Sequence, residues 1–251
     1  MAETILVTGA SAGFGQAICR RLVADGHRVI GAARRIEKLQ ALHEELGEAF
    51  YPLQMDVTDL TQVDQALSSL PADWEQIDVL VNNAGLALGL APAQKAEIAD
   101  WLTMIQTNII GLAYLTRQIL PQMVERNDGY VINMGSTAGT VPYPGANVYG
   151  ASKAFVKQFS LNLRADLAGK QIRVTNIEPG LCEGTEFSSV RFKGDEKRVE
   201  ALYRDAHAIQ PEDIANTVSW LIQQPKHVNV NRIEIMPVSQ TFGPQPVYRG
   251  D

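Results

Sequence analysis

Cysteine is scarce in this sequence: two residues among 251, Cys19 within a helical pattern and Cys182 in a loop far along the chain. Neither belongs to a Cys-x-x-Cys pair, which argues against a disulfide framework and predicts a reducing compartment. Long apolar runs are missing too, and no segment reaches transmembrane length. The N-terminus carries no basic stretch or signal-type cleavage site, because the apolar Thr4 to Val7 segment leads straight into a glycine turn. A cytoplasmic location is therefore expected. Positive charge is in deficit: 22 Lys and Arg against 28 Asp and Glu leave a net charge of −6. Such a chain lacks the basic surface that nucleic acid or an anionic membrane would meet, so a small molecule is the expected ligand. Linkers, repeats and low-complexity segments are absent, and residues 1–251 read as one domain.

What is present is an alternation. Strand-like runs at Thr4–Val7, Arg28–Ala32, Phe50–Met55, Val79–Val81, Tyr130–Met134, Arg173–Ile177 and Arg232–Ile235 are separated by helix-length segments beginning near Phe14, Ile36, Leu60, Ile98, Val148 and Glu212. Strands apolar on both faces, alternating with helices, predict an α/β fold: a Rossmann-type, doubly wound, seven-stranded parallel sheet. Ligands of such sheets gather at the carboxyl ends of the strands, where the strand order switches.

The first of those ends reads Thr8-Gly9-Ala10-Ser11-Ala12-Gly13-Phe14-Gly15. Its glycines permit a tight turn and close backbone approach, and the helix that follows offers free N–H groups to a pyrophosphate. The second run ends Ala33-Arg34-Arg35, with no acid to bond the ribose 2′-hydroxyl of NAD. Two guanidinium groups there suit a 2′-phosphate instead, which predicts NADP(H). Later ends supply Asp56-Val57, Asn82-Asn83-Ala84-Gly85 and Ser136, while Asn108 falls within a long helix. Taken singly, Asp56 and Ser136 also suit turns or helix caps.

Tyr149 and Lys153 are four residues apart, so on a helix they share a face. The ammonium is expected to favour tyrosinate and draw the phenol down from about 10 toward the range of an acid/base catalyst.

Together Thr8-Gly9-(x3)-Gly13-x-Gly15, Asn82 to Gly85, Asn108, Ser136, Tyr149-(x3)-Lys153 and Pro179-Gly180 resemble the motif set of the short-chain dehydrogenase/reductase family over essentially the whole chain. Within that family, the stretches 83–89 and 186–195 resemble bacterial NADP-dependent 3-hydroxy acid dehydrogenases, which act on L-allo-threonine, L-serine, 3-hydroxypropionate or similar acids. Sulfoacetaldehyde reductases share much of the pattern. A binding protein that senses a dinucleotide without turnover is the other alternative, but it would have no need of Ser136, Tyr149 and Lys153 together.

The resemblance implies roles. Tyr149 would be the general acid or base, Lys153 would tune it and hold the nicotinamide ribose, Ser136 would bond the substrate oxygen, and Asn108 would hold a water leading from Lys153 to solvent. Gly9, Ser11, Gly13, Phe14 and Gly15 would cradle the pyrophosphate. Asp56 and Val57 would meet the adenine, and Asn83, Ala84 and Gly85 the adenosine side. Pro179, Gly180 and Thr185 would flank the nicotinamide, although the segment around Thr185 is about two residues longer than the common family version. Residues 183–208 would form the substrate-covering loop and its helices. From it Arg191 is expected to bind the substrate's acid group through its planar fork, with Lys193, or the C-terminal Arg249 contributed by a second subunit, as alternatives. A homotetramer is also implied, because the helices beginning near Ile98 and Val148 are apolar on more than one face and the run 233–246 is apolar and proline-rich.

Overall fold

Residues 5, 6 and 7 are fully buried, yet they face two different cores. Strand periodicity sends Ile5 and Val7 to one side of the sheet and Leu6 to the other, which requires helices on both faces. The computed structural model describes residues 2–242 of the chain. Strands β1 (Thr4–Thr8), β2 (Arg28–Ala33), β3 (Phe50–Gln54), β4 (Val79–Asn82), β5 (Gly129–Met134), β6 (Ile172–Pro179) and β7 (Arg232–Ile235) form one sheet in the order β3-β2-β1-β4-β5-β6-β7. Every neighbouring pair is parallel.

On the Ile5 and Val7 face lie α1 (Gly13–Ala24), α2 (Ile36–Leu46) and α9 (Pro211–Gln223), whose Ile18, Leu22, Leu39, Ile214 and Val218 are fully buried. On the Leu6 face lie α3 (Leu60–Ser68), α5 (Leu112–Arg126) and α6 (Asn147–Asp166), contributing Val63, Leu115, Ile119 and Leu163. Each buried Leu, Ile or Val stabilises the fold by roughly 1.5–3 kcal/mol relative to exposure. The six helix starts expected from the sequence agree with the observed ones to within a residue.

Two features depart from simple alternation. The long helix holding Asn108 is continuous from α4 (Ile98–Ile105) into α5, but Gln106–Gly111 between them is a π-helical turn. Such turns often mark functional positions. Here Gly111 lets the turn approach the chain after β3, since a Cβ there would lie 2.5 Å from the Val57 carbonyl oxygen. Second, the charged segment 183–208 folds into α7 (Phe187–Arg191) and α8 (Glu196–Tyr203). Its neck is closed by backbone bonds from Glu183 to Ile209 (2.9 Å) and from Ile209 to Leu181 (3.1 Å). No helix among the described residues is long and apolar enough to cross a membrane.

After β3 the chain crosses back to place β4 beside β1, so a crevice opens where the two strands end. Its floor is pinned by Thr8. The Thr8 hydroxyl accepts hydrogen bonds from the backbone N–H groups of Asn83 (3.0 Å) and Ala84 (2.9 Å), and the Asn83 side-chain amide donates to the Thr8 carbonyl (2.8 Å).

Candidate active site

The turn after β1 leaves no room for side chains at its glycine positions. Gly9 and Gly13 sit in the left-handed region at φ +68° and +51°, and a Cβ on Gly15 would lie 2.2 Å from the Gly9 carbonyl oxygen. α1 then starts at Gly13 without a side-chain cap and without an acid in its first turn. Its first N–H groups are thus left for an anion, and the bare backbone cradle fits a dinucleotide pyrophosphate. Phe14 turns away to pack against the core.

At the end of β2 the two arginines differ. Arg34 is exposed and makes no ion pair among the described residues. Arg35 donates through Nε and Nη2 to the Ser11 hydroxyl (3.2 and 3.0 Å) and through Nη1 and Nη2 to the Glu186 carboxylate (3.0 and 2.8 Å). Asp56 Oδ1 accepts from the Thr58 backbone N–H (2.9 Å) and hydroxyl (2.7 Å), so it serves as a turn residue whatever else it meets. Val57 is buried beside Gly111. The Asn83 side-chain NH2 is committed to the Thr8 carbonyl, and the Asn83 and Ala84 N–H groups to the Thr8 hydroxyl, so these three donors shape the crevice floor. Gly85 lies between Asn108 and Lys153: a Cβ there would be 3.3 Å from Asn108 Oδ1 and 3.4 Å from Lys153 Nζ.

α6 carries Tyr149 and Lys153 on one buried face, 7% and 6% exposed. Lys153 Nζ donates to the Met134 carbonyl at the end of β5 (2.8 Å) and stands 5.9 Å from the centre of the Tyr149 ring. The spacing alone predicts a lowered phenol. In the structure burial pushes Tyr149 up to about 12, while a hydrogen bond to Ser136 and the charge of Arg191 oppose the rise. Burial also brings Lys153 down to about 8. Ser136 follows β5 and caps a turn, as one of its two expected roles requires. Its hydroxyl caps the following turn by accepting from Ala138 N–H (3.1 Å), donates weakly to the Pro179 carbonyl (3.4 Å) and faces the Tyr149 phenol. The Asn108 side chain is fully engaged, donating to the Leu86 carbonyl (2.8 Å) and Ser152 hydroxyl (3.1 Å) and accepting from Leu86 N–H (2.9 Å).

A family profile described as short chain dehydrogenase matches residues 3–196. The chain belongs to the short-chain dehydrogenase family. It is 59% identical over 245 residues to an NADP-dependent 3-hydroxy acid dehydrogenase of Salmonella typhi, covering 98% of this chain and 99% of that one. A serine 3-dehydrogenase of Agrobacterium fabrum is 51% identical over 249 residues, 99% of each chain. Among solved structures, the closed form of a serine dehydrogenase complexed with NADP+ superposes with a TM-score of 0.97 at 56% identity, over 98% of this chain and all of that one.

In this short-chain dehydrogenase the segment after β6 closes over the crevice. A Cβ on Gly13 would lie 3.0 Å from the Thr185 side chain, so Thr185 sits on the glycine turn despite the two extra residues before it. Pro179 ends β6 and Gly180 follows it, and Gln240 braces the turn by accepting from Leu181 N–H (2.7 Å). α7 brings Phe187 against the Tyr149 ring, centroids 5.7 Å apart. The Arg191 guanidinium stands 5.3 Å from the centre of that ring and donates to the Tyr143 hydroxyl (2.8 Å). Lys193 is instead paired with Asp100 (2.8 Å), and Arg249 lies outside the described residues. Tyr143, Phe187 and Glu186 escaped the sequence reading. Their signals were weak: an aromatic in a Pro-Tyr-Pro-Gly turn and two residues beside Thr185.

Proposed function

We propose that this protein is an NADP-dependent oxidoreductase interconverting a small 3-hydroxy acid, such as L-allo-threonine, L-serine or 3-hydroxypropionate, with its 3-oxo acid or semialdehyde. One observation carries the reading: Ser136 and Arg191 both stand against Tyr149, which sets two hydroxyls for a carbonyl oxygen beside a guanidinium for an acid group. Hydride is exchanged with the nicotinamide when NADP(H) is bound. The chain's own residues handle the proton and the geometry. In reduction Tyr149 gives its proton to the substrate oxygen as negative charge develops there, with Ser136 as the second donor. In oxidation Tyr149 takes the hydroxyl proton. Lys153, held by the Met134 carbonyl, would hold the nicotinamide ribose when the cofactor is bound. A link from Lys153 toward solvent would use the Asn108 main chain, because the Asn108 side chain is already engaged.

The corner formed by Arg34, Arg35 and Ser11 supports NADP over NAD, and the relatives named for NADP-dependent hydroxy acid and serine dehydrogenation support the substrate class. Neither the sulfonate alternative nor a non-catalytic binder gains support from them. The test is a panel of L-serine, L-allo-threonine, 3-hydroxypropionate and isethionate with NADP+, followed by the absorbance of reduced nicotinamide. Turnover confined to isethionate, or absent throughout, overturns the reading. It extends to a homotetramer formed through α4, α5 and α6, and to a cytoplasmic location, which suits the two free thiols.

A further inference from the structure

A carboxylate stands where a phosphate is expected. Glu186 reaches the corner that would hold the cofactor's 2′-phosphate, a position where an unshielded negative charge would repel the ligand. Arg35 lies between. Of the five N–H donors of a guanidinium, four are used in its bonds to Ser11 and Glu186. Little of Arg35 remains for a further partner, whereas Arg34 is exposed and unpaired among the described residues. Glu186 also directly precedes α7, the single short helix that sets Phe187 and Arg191 against Tyr149.

We propose that Glu186 is a positioning residue: through Arg35 it fastens α7 to the cofactor-phosphate corner and so fixes Arg191 for the substrate anion, while Arg34 reads the 2′-phosphate. This rests on the NADP-dependent hydroxy acid reading above. The pair is half exposed, so it contributes little to global stability, and its effect is on placement. The chain of contacts is short. Ser11 on the glycine turn holds Arg35, Arg35 holds Glu186, and five residues later Arg191 is held by Tyr143 and by the Gly89 N–H bonded to its carbonyl (3.0 Å).

The experiment separates cofactor affinity from substrate placement. Dissociation constants for NADPH and NADH are measured by nicotinamide fluorescence without substrate, and KM and kcat are measured for the hydroxy acid, in wild type, Arg34→Met, Arg35→Met, Glu186→Gln and the double variant. Arg34→Met should weaken NADPH by roughly 10- to 100-fold, the worth of a charge-assisted contact, and leave NADH nearly unchanged. Glu186→Gln should bind NADPH as well as wild type or better, yet raise KM about two- to fivefold with less change in kcat. Arg35→Met should raise KM similarly, the double variant should be no worse than Arg35→Met, and Arg35→Lys should recover part of the loss. If Arg35→Met costs as much NADPH affinity as Arg34→Met while Glu186→Gln leaves KM unchanged, the proposal fails. A wild type inactive toward every hydroxy acid would overturn the underlying reading instead, while the binding measurements would still decide which arginine reads the phosphate.

Discussion

A phenol and an ammonium buried side by side are pressed in opposite directions, Tyr149 up to about 12 and Lys153 down to about 8. With its proton held so tightly, Tyr149 is an acid throughout the neutral range. On the proposed mechanism carbonyl reduction would meet it in the required form, whereas alcohol oxidation would need the proton removed, so oxidation should accelerate with pH by up to about tenfold per unit while reduction does not. A pH profile in both directions checks this, and oxidation that slows from pH 7 to 9 would contradict it. Tyr149→Phe should bind NADPH normally and lose roughly 10²–10⁴-fold in kcat. For Lys153 the depressed value means that the fold is most stable above the ordinary lysine range and loses stability as pH falls through about 8. Carrying that charge at neutral pH costs on the order of 3 kcal/mol, part of which Lys153→Met should recover, after losing the Met134 hydrogen bond, as a raised Tm in an inactive protein. Arg191→Met should cost on the order of 2–5 kcal/mol in kcat/KM for an anionic substrate and spare a neutral aldehyde, which a two-substrate comparison reads directly.

Among the elements, the glycine turn and the α4–α5 helix show how backbone shape decides chemistry. Gly15→Ala would drive a methyl into the Gly9 carbonyl, and since that neighbour is backbone, the turn itself must shift. Its expected result is a destabilisation of about 1–3 kcal/mol in thermal melts, together with weakened NADPH binding. The π turn at Gln106–Gly111 was not legible, because hydrophobic periodicity places residues on helix faces but does not register one wider turn. Its consequence is local: Asn108 meets the Leu86 backbone, and Gly111 meets Val57. The helices α7 and α8 were legible only through the family resemblance, since their charged sequence lacks a sustained apolar stripe.

Over the whole molecule, several large apolar side chains on α4 and α6 remain exposed. Ile98 and Leu102, one turn apart on α4, are 64% and 59% exposed, and Leu161 on α6 is 42% exposed. Aligned with the apolar faces expected of these helices, they argue for a covered surface. Light scattering should return a mass near four times the 27.5 kDa of the chain, and Leu102→Glu should lower it. A wild type that scatters as a monomer at micromolar concentration would rule the assembly out. Of the run 233–246, residues from 243 onward lie outside the described structure.

What the sequence by itself determined was what periodicity and steric limits register: strands from apolar runs, the six helix starts, the glycine turn between Thr8 and Gly15, and the shared face of Tyr149 and Lys153. Such features follow from periodicity and from steric limits that act between near neighbours. Only the tertiary structure decided the electrostatics and the pairings. Burial raised a phenol that its neighbouring lysine was expected to lower, because desolvation depends on residues from several elements at once. Glu186 met Arg35 across 151 positions, and Lys193 was taken by Asp100, leaving Arg191 beside Tyr149. Contacts at that separation carry no periodic signal, so they become visible only when the sheet has brought the strand ends together.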